Sequence, residues 1–287
     1  MKTVLLLGGT GFIGKNIAEY LAADSGYRLL SPKRTELNLL DTQACEDFVK
    51  AAAPDAVIHS AVNIHSIEEN VRMYFNFERL SAHYGKMIVI GSAAEYDMRS
   101  YKPMMTEEYF GCNTPSDTYG LSKFIAASDA ERKRRNIINL RVFGIYGKYE
   151  DFTRRFISNN ICNVLCGKDI SINRNMVFDY LFIDDFLSIM EQFLSRDCKH
   201  RSYNVCTGHP VTLLDLAHTI ASLMPEYKNR KLVIKNEGMG TEYSGNNQRL
   251  LSEFGETRFT DHRIAIEGLI QWYREIFSEA NICARLK

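Results

Sequence analysis

The feature that most constrains the fold is a glycine-rich turn between a short apolar run and a helical pattern near the amino end. Thr3 to Leu7 form the apolar run, which predicts a buried strand, and the helical pattern extends from Lys15 to Ala23. Glycines spaced three residues apart allow a tight turn, close approach of a ligand to the backbone, and close packing of helix on strand. The free N–H groups of such a helix suit a pyrophosphate, so a dinucleotide site is predicted here. Its expected contacts are Gly8, Gly11, Phe12, Ile13 and Gly14.

Strands and helices alternate along the first half of the chain. Further strands are predicted at 27–30, 55–62, 87–92 and 137–143, with helices at 44–53, 66–84 and 118–135. This alternation predicts an α/β fold, a Rossmann-type doubly wound parallel sheet with helices on both faces. The pattern becomes irregular after about residue 149. We therefore expect a dinucleotide-binding domain at 1–150, to which a segment at about 176–206 returns, and a smaller mixed α/β region at 151–287 that mainly binds substrate.

The composition excludes binding through bulk charge. Lys+Arg and Asp+Glu both number 35 among 287 residues, so neither nucleic acid nor a membrane is an expected partner. The basic run at 131–135 is interpreted as the solvated end of a helix, where cations suit the dipole. No apolar run reaches the roughly 18–20 residues of a membrane span, and the start resembles no signal peptide. The expected location is cytoplasmic.

The cysteines form no recognisable motif. An odd number without a Cys-x-x-Cys pair argues against a disulfide framework and against structural zinc. We therefore expect reduced, mostly buried thiols and no metal site. The seven residues are Cys45, Cys112, Cys162, Cys166, Cys198, Cys206 and Cys283.

The end of the second predicted strand indicates which dinucleotide is bound. An acidic residue there accepts from a ribose 2′-hydroxyl, whereas a basic residue meets a 2′-phosphate. Lys33 and Arg34 come first in this segment, and Glu36 follows. A guanidinium matches a phosphate well, so the pattern favours NADP. NAD is the alternative if both cations are only exposed loop residues.

A second feature points to chemistry. Tyr119 and Lys123 are four residues apart in a predicted helix and therefore share one face. A phenol beside an ammonium group can transfer a proton, but the same spacing occurs among ordinary helix residues. The pair alone leaves both interpretations open.

Together, the motifs of the first 185 residues or so resemble the extended short-chain dehydrogenase/reductase family of nucleotide-sugar epimerases, dehydratases and reductases. The segment from Arg34 to Asp41 is most similar to GDP-fucose synthases, which use NADPH, and this likeness supports NADP. The other matching motifs are the glycine turn, His59-Ser60-Ala61, Asn70 and Asn76 in an Asn-x5-Asn helix, Gly91-Ser92-Ala93-Ala94-Glu95-Tyr96, the segment Tyr119 to Lys123, and a segment ending in Asp184-Asp185.

The resemblance implies roles for several residues. Tyr119 is expected to be the acid/base, Lys123 to lower its pKa and hold the nicotinamide ribose, and Ser92 to hydrogen-bond the substrate oxygen. A nearby ammonium stabilises a phenolate, which agrees with these roles. Further cofactor contacts are expected at Lys33, Arg34, Asp41, Ser60, Ala61 and Asn76, and a further substrate contact at Ala93.

Two departures from the family pattern limit the reaction. Ala93 and Ala94 stand where family 4,6-dehydratases have an Asp-Glu pair, and neither carries a proton, so dehydration is not expected. Ala94 also replaces the cysteine that GDP-fucose synthases use in C3/C5 epimerisation. The predicted reaction is NADPH reduction of a 4-keto (6-deoxy) nucleotide sugar. NAD-dependent 4-epimerisation is the alternative, and a non-catalytic NADP-binding sensor is a second one.

The expected partner is a nucleotide-diphosphate sugar. Its phosphates require cations, and the candidates are Arg154, Arg155, Arg174 and Arg249. The resemblance also implies a homodimer through the helix that carries Tyr119 and Lys123.

Overall fold

The computed structural model describes residues 1–132, 136–276 and 278–286. Of the basic run at 131–135, which was predicted to end a helix, residues 133–135 therefore lie outside the described residues. The strands are β1 (Lys2–Leu7), β2 (Tyr27–Leu30), β3 (Ala56–His59), β4 (Lys86–Ile90), β5 (Ile137–Val142), β6 (Gly144–Tyr146), β7 (Ile170–Asn175), β8 (Val177–Phe178), β9 (Tyr180–Phe182), β10 (Ser202–Val205), β11 (Val211–Thr212) and β12 (Leu232–Met239). The helices are α1 (Phe12–Ala22), α2 (Thr42–Ala52), α3 (Ile67–Glu78), α4 (Thr118–Arg132), α5 (Phe156–Leu165), α6 (Ile183–Ser195), α7 (Leu213–Leu223), α8 (Gln248–Phe254), α9 (His262–Ile276) and α10 (Glu279–Arg285).

A parallel sheet of six strands forms the centre of the fold, in the order β2-β1-β3-β4-β5-β10. In its register, Leu7 lies opposite His59, and His59 lies opposite Val89. The carboxyl ends of β1, β3 and β4 therefore meet at one edge, where doubly wound sheets bind ligands. The predicted α/β class and parallel sheet are confirmed.

The uninterrupted apolar run of β1 supplies both faces of this sheet. Val4 and Leu6 belong to a core that includes residues of α1 and α6, while Leu5 and Leu7 belong to a core that includes residues of α2, α3 and α4. A strand buried on both faces needs no alternation of polar and apolar residues. This explains why the run reads as continuous in the sequence.

A separate core lies in the later part of the chain. It is built from α5, α7 and α9 together with residues of β7, which pairs in parallel with β12. Short strand pairs, β6 with β9 and β8 with β11, connect this part to the region around the central sheet. The division at about residue 150 stays a proposal.

The expectation of seven reduced thiols is wrong for Cys166 and Cys283. Their sulfurs are bonded, and their Cα atoms lie 5.5 Å apart although 117 residues separate them in the sequence. Because α10 reaches Cys166 at the end of α5 only in the folded chain, no local pattern announces the pair. The other five cysteines are free, and Cys45, Cys162 and Cys206 are buried.

Several predicted boundaries also differ by a few residues. The strand predicted at 55–62 ends at His59, because the next residues form the wall of a cleft. The helix predicted at 66–84 ends at Glu78, after which the Tyr84 hydroxyl donates to the Phe77 carbonyl at 2.9 Å and satisfies one helix-end acceptor. Among the described residues, no helix combines the length and apolar character needed to cross a membrane.

Candidate active site

The glycine turn lies at the carboxyl edge of the sheet. Gly8 has a φ of +82°, which favours glycine, and a Cβ there would lie 2.6 Å from the Ala61 backbone nitrogen. A Cβ at Gly14 would lie 2.1 Å from the Gly8 carbonyl oxygen. At Gly11 the nearest atom to a Cβ is that same oxygen, at 3.6 Å. The turn itself therefore requires glycine at positions 8 and 14, whereas a Cβ at position 11 would fit beside the turn.

The first helix begins with its amide groups uncapped. Gly11 precedes α1 and provides no side-chain cap, and the first turn contains no acidic residue. The side chains of Phe12 and Ile13 pack against the core, so their backbone N–H groups are what they can offer a ligand. Uncapped N–H donors at a helix start suit an anion. The turn therefore fits the pyrophosphate of a dinucleotide.

A cleft of about 480 Å³ opens beside this turn. Ser60 and Ala61 form one wall, and Lys33 and Arg34 line it from the loop after β2. Both cations are exposed, and neither has an ion-pair partner among the described residues. The Glu36 carboxylate accepts from the Lys33 backbone N–H at 2.7 Å, which turns that acid toward its own loop. The wall therefore offers positive charge to a phosphate.

The predicted cofactor contacts Asp41 and Asn76 support the cleft without lining it. Asp41 caps α2, where its carboxylate accepts from the Ala44 N–H at 3.0 Å. The buried Asn76 amide accepts from the Thr42 hydroxyl at 2.9 Å and donates to the Leu39 carbonyl at 2.8 Å. Their contacts therefore shape the loop that carries Leu39, which does line the cleft.

Ser92 stands at the edge of the sheet after β4, in a rigid buried network. Its backbone N–H donates to the Glu95 carboxylate at 2.9 Å, and its Oγ accepts from the Ala94 N–H at 3.1 Å. Glu95 is fully buried and also accepts from Arg141 Nε at 2.7 Å and Asn139 Nδ2 at 2.8 Å. Burial raises the pKa of Glu95, and Arg141 opposes that shift most strongly. The reciprocal Ser92–Glu95 contacts form a capping box that fixes the serine.

Helix α4 brings Tyr119 and Lys123 to this serine. The Ser92 side chain acts on the Tyr119 phenol and lowers its pKa, and Lys123 Nζ lies 5.9 Å from the centroid of the Tyr119 ring. Lys123 is 8% exposed, and its Nζ donates to the Ile90 carbonyl at 2.7 Å. Burial lowers the pKa of Lys123 to about 8, while the Glu95 carboxylate opposes that change. The three side chains therefore surround one small space at the end of β4.

The pKa of Tyr119 is raised, and the expectation that Lys123 lowers it stays a prediction. Burial raises this pKa, and the Ser92 side chain and the charge of Arg155 oppose the increase. The ammonium group of Lys123 donates to the Ile90 carbonyl. The Tyr119 phenol is therefore protonated at neutral pH.

His59 is a core residue at the end of β3. It is 4% exposed and packs against the rings of Tyr74 and Phe77. Its Nε2 makes no hydrogen bond among the described residues. Burial lowers the pKa of His59 to about 4, with a smaller contribution from the charge of Lys123. The imidazole is therefore neutral at pH 7.

Asn70 links the cleft to the helix that carries Tyr119. Its Nδ2 donates to the Ser122 hydroxyl at 3.0 Å and to the Asn63 carbonyl at 2.8 Å, while its Oδ1 accepts from the Asn63 N–H at 2.7 Å. Asn70 does not cap α3, because the cap is Ser66. Asn70 instead holds the lining residue Asn63 against α4.

The four candidate arginines have different surroundings. Arg155 precedes α5, and its charge acts on Tyr119. Arg154 is exposed and lowers the pKa of Asp151 together with other groups, of which the Thr153 hydroxyl has the largest effect. Arg155 is therefore the member of this pair that acts on the predicted acid.

The other two arginines lie elsewhere. Arg174 is exposed on β7 opposite Asn236. Arg249 donates to the Ser202 carbonyl at 3.1 Å and to the Glu108 carboxylate at 3.0 Å. It lines a second cleft, of about 440 Å³, that contains none of the residues predicted for catalysis. The prediction that Arg249 binds substrate is therefore not supported by its surroundings.

The sequence interpretation missed two residues of this centre. Glu95 follows Ser92 in a Ser-x-x-Glu capping pattern, which was visible in the sequence. Tyr243 is close enough to this centre for Tyr119 to raise its pKa and Ser92 to lower it, although burial has the largest effect, yet it lies far from both in the sequence. Ala93, a predicted substrate contact, is fully buried, and its carbonyl accepts from the Tyr101 hydroxyl at 2.9 Å.

Known proteins resemble this chain over nearly its whole length. A GDP-L-colitose synthase of Yersinia pseudotuberculosis is 21% identical over 302 residues, covering 94% of this chain and 97% of its own. A GDP-L-fucose synthase of Escherichia coli strain K12 is 25% identical over 325 residues, covering 99% and 95% respectively. The structure of a GDP-mannoheptose C4 reductase from Campylobacter jejuni with NADP bound matches with a TM-score of 0.80 at 19% identity, covering 95% of this chain and 98% of its own.

A family model also matches the chain. It describes the NAD dependent epimerase/dehydratase family and covers residues 4–206, which include the glycine turn, Ser92, Tyr119 and Lys123. The match confirms the resemblance to extended short-chain dehydrogenases and the prediction of an enzyme. The chain belongs to the NAD dependent epimerase/dehydratase family.

Proposed function

We propose that the protein is an NADP(H)-dependent oxidoreductase that reduces a 4-keto nucleotide-linked sugar to the corresponding alcohol. The observation that carries this proposal is the meeting of Ser92, Tyr119 and Lys123 at the end of β4, where Ser92 acts on the Tyr119 phenol and Lys123 Nζ lies 5.9 Å from the centroid of its ring. Carbonyl reduction needs an acid and a hydrogen-bond donor at one oxygen, with positive charge nearby. These three side chains can supply all of those functions.

Each side chain has a role in this proposal. Tyr119 donates its proton to the carbonyl oxygen as the alcohol forms, and Ser92 donates a hydrogen bond to that oxygen. Lys123 holds the nicotinamide ribose and favours the phenolate that is left. When bound, the reduced cofactor supplies the two electrons and the hydrogen that reach the carbonyl carbon. Removing a general acid of this kind lowers the rate by about 10²–10⁴-fold.

Lys33 and Arg34 support NADP over NAD. They line the cleft without an ion-pair partner among the described residues, and an unpaired guanidinium suits the 2′-phosphate. The NADP bound in the similar C4 reductase structure agrees with this choice. We assign the pyrophosphate to the amides of the Gly11–Gly14 turn, with Ser60 and Ala61 opposite.

The protonation state of Tyr119 supports reduction over 4-epimerisation. Burial raises the pKa of this phenol, so it begins as an acid at neutral pH. Reduction takes a proton from the tyrosine, whereas 4-epimerisation begins by removing one from a sugar alcohol. The similarity to two GDP-sugar synthases and to a GDP-mannoheptose C4 reductase supports a nucleotide sugar as substrate. Arg155 is our candidate for its diphosphate, with Arg154 and Arg174 as further cations.

The test is a panel of nucleotide sugars offered to the purified protein. NADPH oxidation followed by absorbance should occur with 4-keto sugar nucleotides and should produce the C4 alcohol. Interconversion of C4 epimers with retained NAD and no net consumption would instead support the epimerase. Binding of NADPH without turnover of any member of the panel would support the sensor.

A single variant separates an enzyme from a sensor. Tyr119→Phe should lower turnover by about 10²–10⁴-fold while the dissociation constant for NADPH stays within about twofold. Tyr109→Phe is the control, because Tyr109 is an exposed phenol elsewhere on the chain. Unchanged turnover in Tyr119→Phe would contradict the assigned acid.

A further inference from the structure

Gly120 lies where α4 meets the segment that carries Ser92. A Cβ at this position would lie 2.7 Å from the Ala94 carbonyl oxygen, 2.7 Å from the Asp117 carboxylate and 3.0 Å from the Pro115 Cβ. A carbon and an oxygen that are not bonded to each other ordinarily stay about 3.3–3.6 Å apart. A side chain at position 120 therefore requires α4 to move away from the Ala94 carbonyl, or that carbonyl to move away from α4.

The Ala94 carbonyl belongs to a turn that is fixed on several sides. The Ala94 N–H donates to Ser92 Oγ at 3.1 Å, and the Ser92 N–H donates to the buried Glu95 carboxylate at 2.9 Å. The neighbouring Ala93 carbonyl accepts from the Tyr101 hydroxyl at 2.9 Å. Movement of Ala94 would strain these contacts and would be passed directly to the Ser92 hydroxyl.

Helix α4 is fixed just as closely on the same turn as Tyr119. Lys123 Nζ donates to the Ile90 carbonyl at the end of β4 at 2.7 Å. The Ser122 hydroxyl accepts from Asn70 Nδ2 at 3.0 Å and donates to the Tyr119 carbonyl at 2.8 Å. These bonds hold the helix against the end of β4, and the Ala94 carbonyl limits how closely it can approach.

We propose that Gly120 is a positioning residue for the reduction: because it has no side chain, α4 rests directly on the Ala94 carbonyl, and this contact sets the separation between the Tyr119 phenol and the Ser92 hydroxyl. The proposal rests on the proposed roles of those two side chains. Tyr119 precedes Gly120 in the chain, and Ser92 is hydrogen-bonded to Ala94, so the contact joins both groups through few intervening bonds. Two groups that act on one carbonyl oxygen need placement within about 0.5 Å.

Helix α9 supplies a matched glycine for comparison. Gly268 is exposed within that helix, and among the described residues no atom lies within 4 Å of a Cβ built there. Alanine forms helices better than glycine at an unobstructed position. The same substitution is therefore obstructed at Gly120 and unobstructed at Gly268.

The kinetic test compares Gly120→Ala with Gly268→Ala. A displacement of roughly half an ångström should lower the kcat of Gly120→Ala about tenfold, while the KM for the 4-keto sugar nucleotide stays within about twofold. Gly268→Ala should keep kcat within about twofold and raise the melting temperature by about 2 °C. A kcat in Gly120→Ala equal to that of Gly268→Ala would overturn the proposal.

A double variant separates positioning from a general loss of structure. If Gly120 acts through the separation of Tyr119 and Ser92, its substitution matters less once the serine hydroxyl is gone. In a Ser92→Ala background, the tenfold effect of Gly120→Ala should therefore shrink to about threefold. An undiminished tenfold effect would show that Gly120 acts through something other than this pair and would contradict the proposal.

Crystal structures of the two variants provide a readout that needs no substrate. The distance between the Tyr119 hydroxyl oxygen and Ser92 Oγ should be about 0.5 Å longer in Gly120→Ala than in the wild type, and unchanged in Gly268→Ala. An unchanged distance in Gly120→Ala would refute the positioning role. A longer distance in a protein that turns over no nucleotide sugar would support the contact and refute the proposed reaction.

A second variant keeps the test decisive if Gly120→Ala does not fold. Ser122→Ala removes the hydrogen bond that holds α4 to Asn70 and leaves the backbone contact at Gly120 free to open. Its kcat should fall about fivefold with the KM for the sugar within about twofold. A kcat within twofold of the wild type in Ser122→Ala would then show that the seating of α4 does not set the rate.

Discussion

Glu95 acts on two members of the candidate site, Ser92 and Lys123. Its carboxylate accepts from the Ser92 backbone and so fixes the residue that acts on Tyr119. The same charge keeps the pKa of Lys123 from falling as far as burial alone would take it. Arg141, fully buried, pairs with Glu95 at 2.7 Å and offsets the cost of burying the acid. One buried ion pair thus supports both the serine and the charge of the lysine.

At the same scale, His59→Leu should make the protein less sensitive to acid. Burial lowers the pKa of His59 to about 4, whereas an unfolded histidine titrates near 6.5, so the unfolded chain binds the proton first as pH falls. Stability from the neutral imidazole is present above pH 6.5 and is lost between there and pH 4. Relative to the variant, the wild type should lose about 2 kcal/mol of unfolding free energy between pH 7 and pH 5. Urea unfolding at both pH values measures this, and the exposed His65→Leu is the control.

The two cations of the cofactor cleft should set the preference for NADPH. Replacing both Lys33 and Arg34 by alanine should raise the KM for NADPH about tenfold, because hydrogen bonds to a charged phosphate are lost. The KM for NADH should stay within about twofold. Arg28→Ala removes an exposed cation on β2 and serves as the control. Equal changes for both cofactors would show that these residues do not contact the 2′-phosphate.

At the scale of elements, glycine serves two different purposes in the unit formed by β1, the turn and α1. Gly14 lies where any Cβ would collide with the backbone of the turn, so it is needed for packing. Gly11 has ordinary extended dihedrals and space around it, so another residue fits there in the empty protein. The need for glycine at position 11 comes from the ligand.

Two alanine substitutions test this separation. Gly14→Ala should lower the free energy of unfolding by about 1–3 kcal/mol through overpacking, and should also abolish NADP binding. Gly11→Ala should change stability by only about 0.5 kcal/mol, but should weaken NADP binding at least tenfold. Thermal or urea unfolding together with calorimetric titration measures both. Normal NADP affinity in Gly11→Ala would place the pyrophosphate elsewhere.

At the scale of the whole molecule, the sheet brings distant segments to one edge. Strand β10 returns from the later part of the chain to lie beside β5, and Tyr243 approaches Ser92 from beyond it. The disulfide between Cys166 and Cys283 ties the last helix to α5. The predicted homodimer through α4 stays a prediction, which the mass of the protein in solution would test.

The disulfide should contribute measurably to global stability. Cys283→Ser should lower the unfolding free energy by about 2–4 kcal/mol without reductant, because the bond closes a loop of 117 residues. Reductant should bring the wild type to the level of this variant and leave the variant unaffected. Cys112→Ser, at an exposed free cysteine, should keep the response to reductant. A wild type insensitive to reductant would show that the bond does not form in solution.

Local patterns predicted much of the fold and part of the site. The apolar run of β1, the glycine turn and the alternation of strands with helices correspond to the observed sheet, because each depends on residues close in sequence. Ser92, Tyr119 and Lys123 were predicted from short motifs, and the structure brings them together. Their catalytic roles stay predictions.

The amino-acid sequence by itself determined the strand, turn and helix units and their hydrophobic faces, since backbone geometry and side-chain period act over a few residues. Only the tertiary structure decided what lies around the reacting phenol. The proximity of Tyr243 to Ser92, the raised pKa of Tyr119, the surroundings of Arg249 and the bond between Cys166 and Cys283 all depend on segments far apart in the chain. Such contacts and the desolvation that accompanies them arise from packing, which no short stretch of residues encodes.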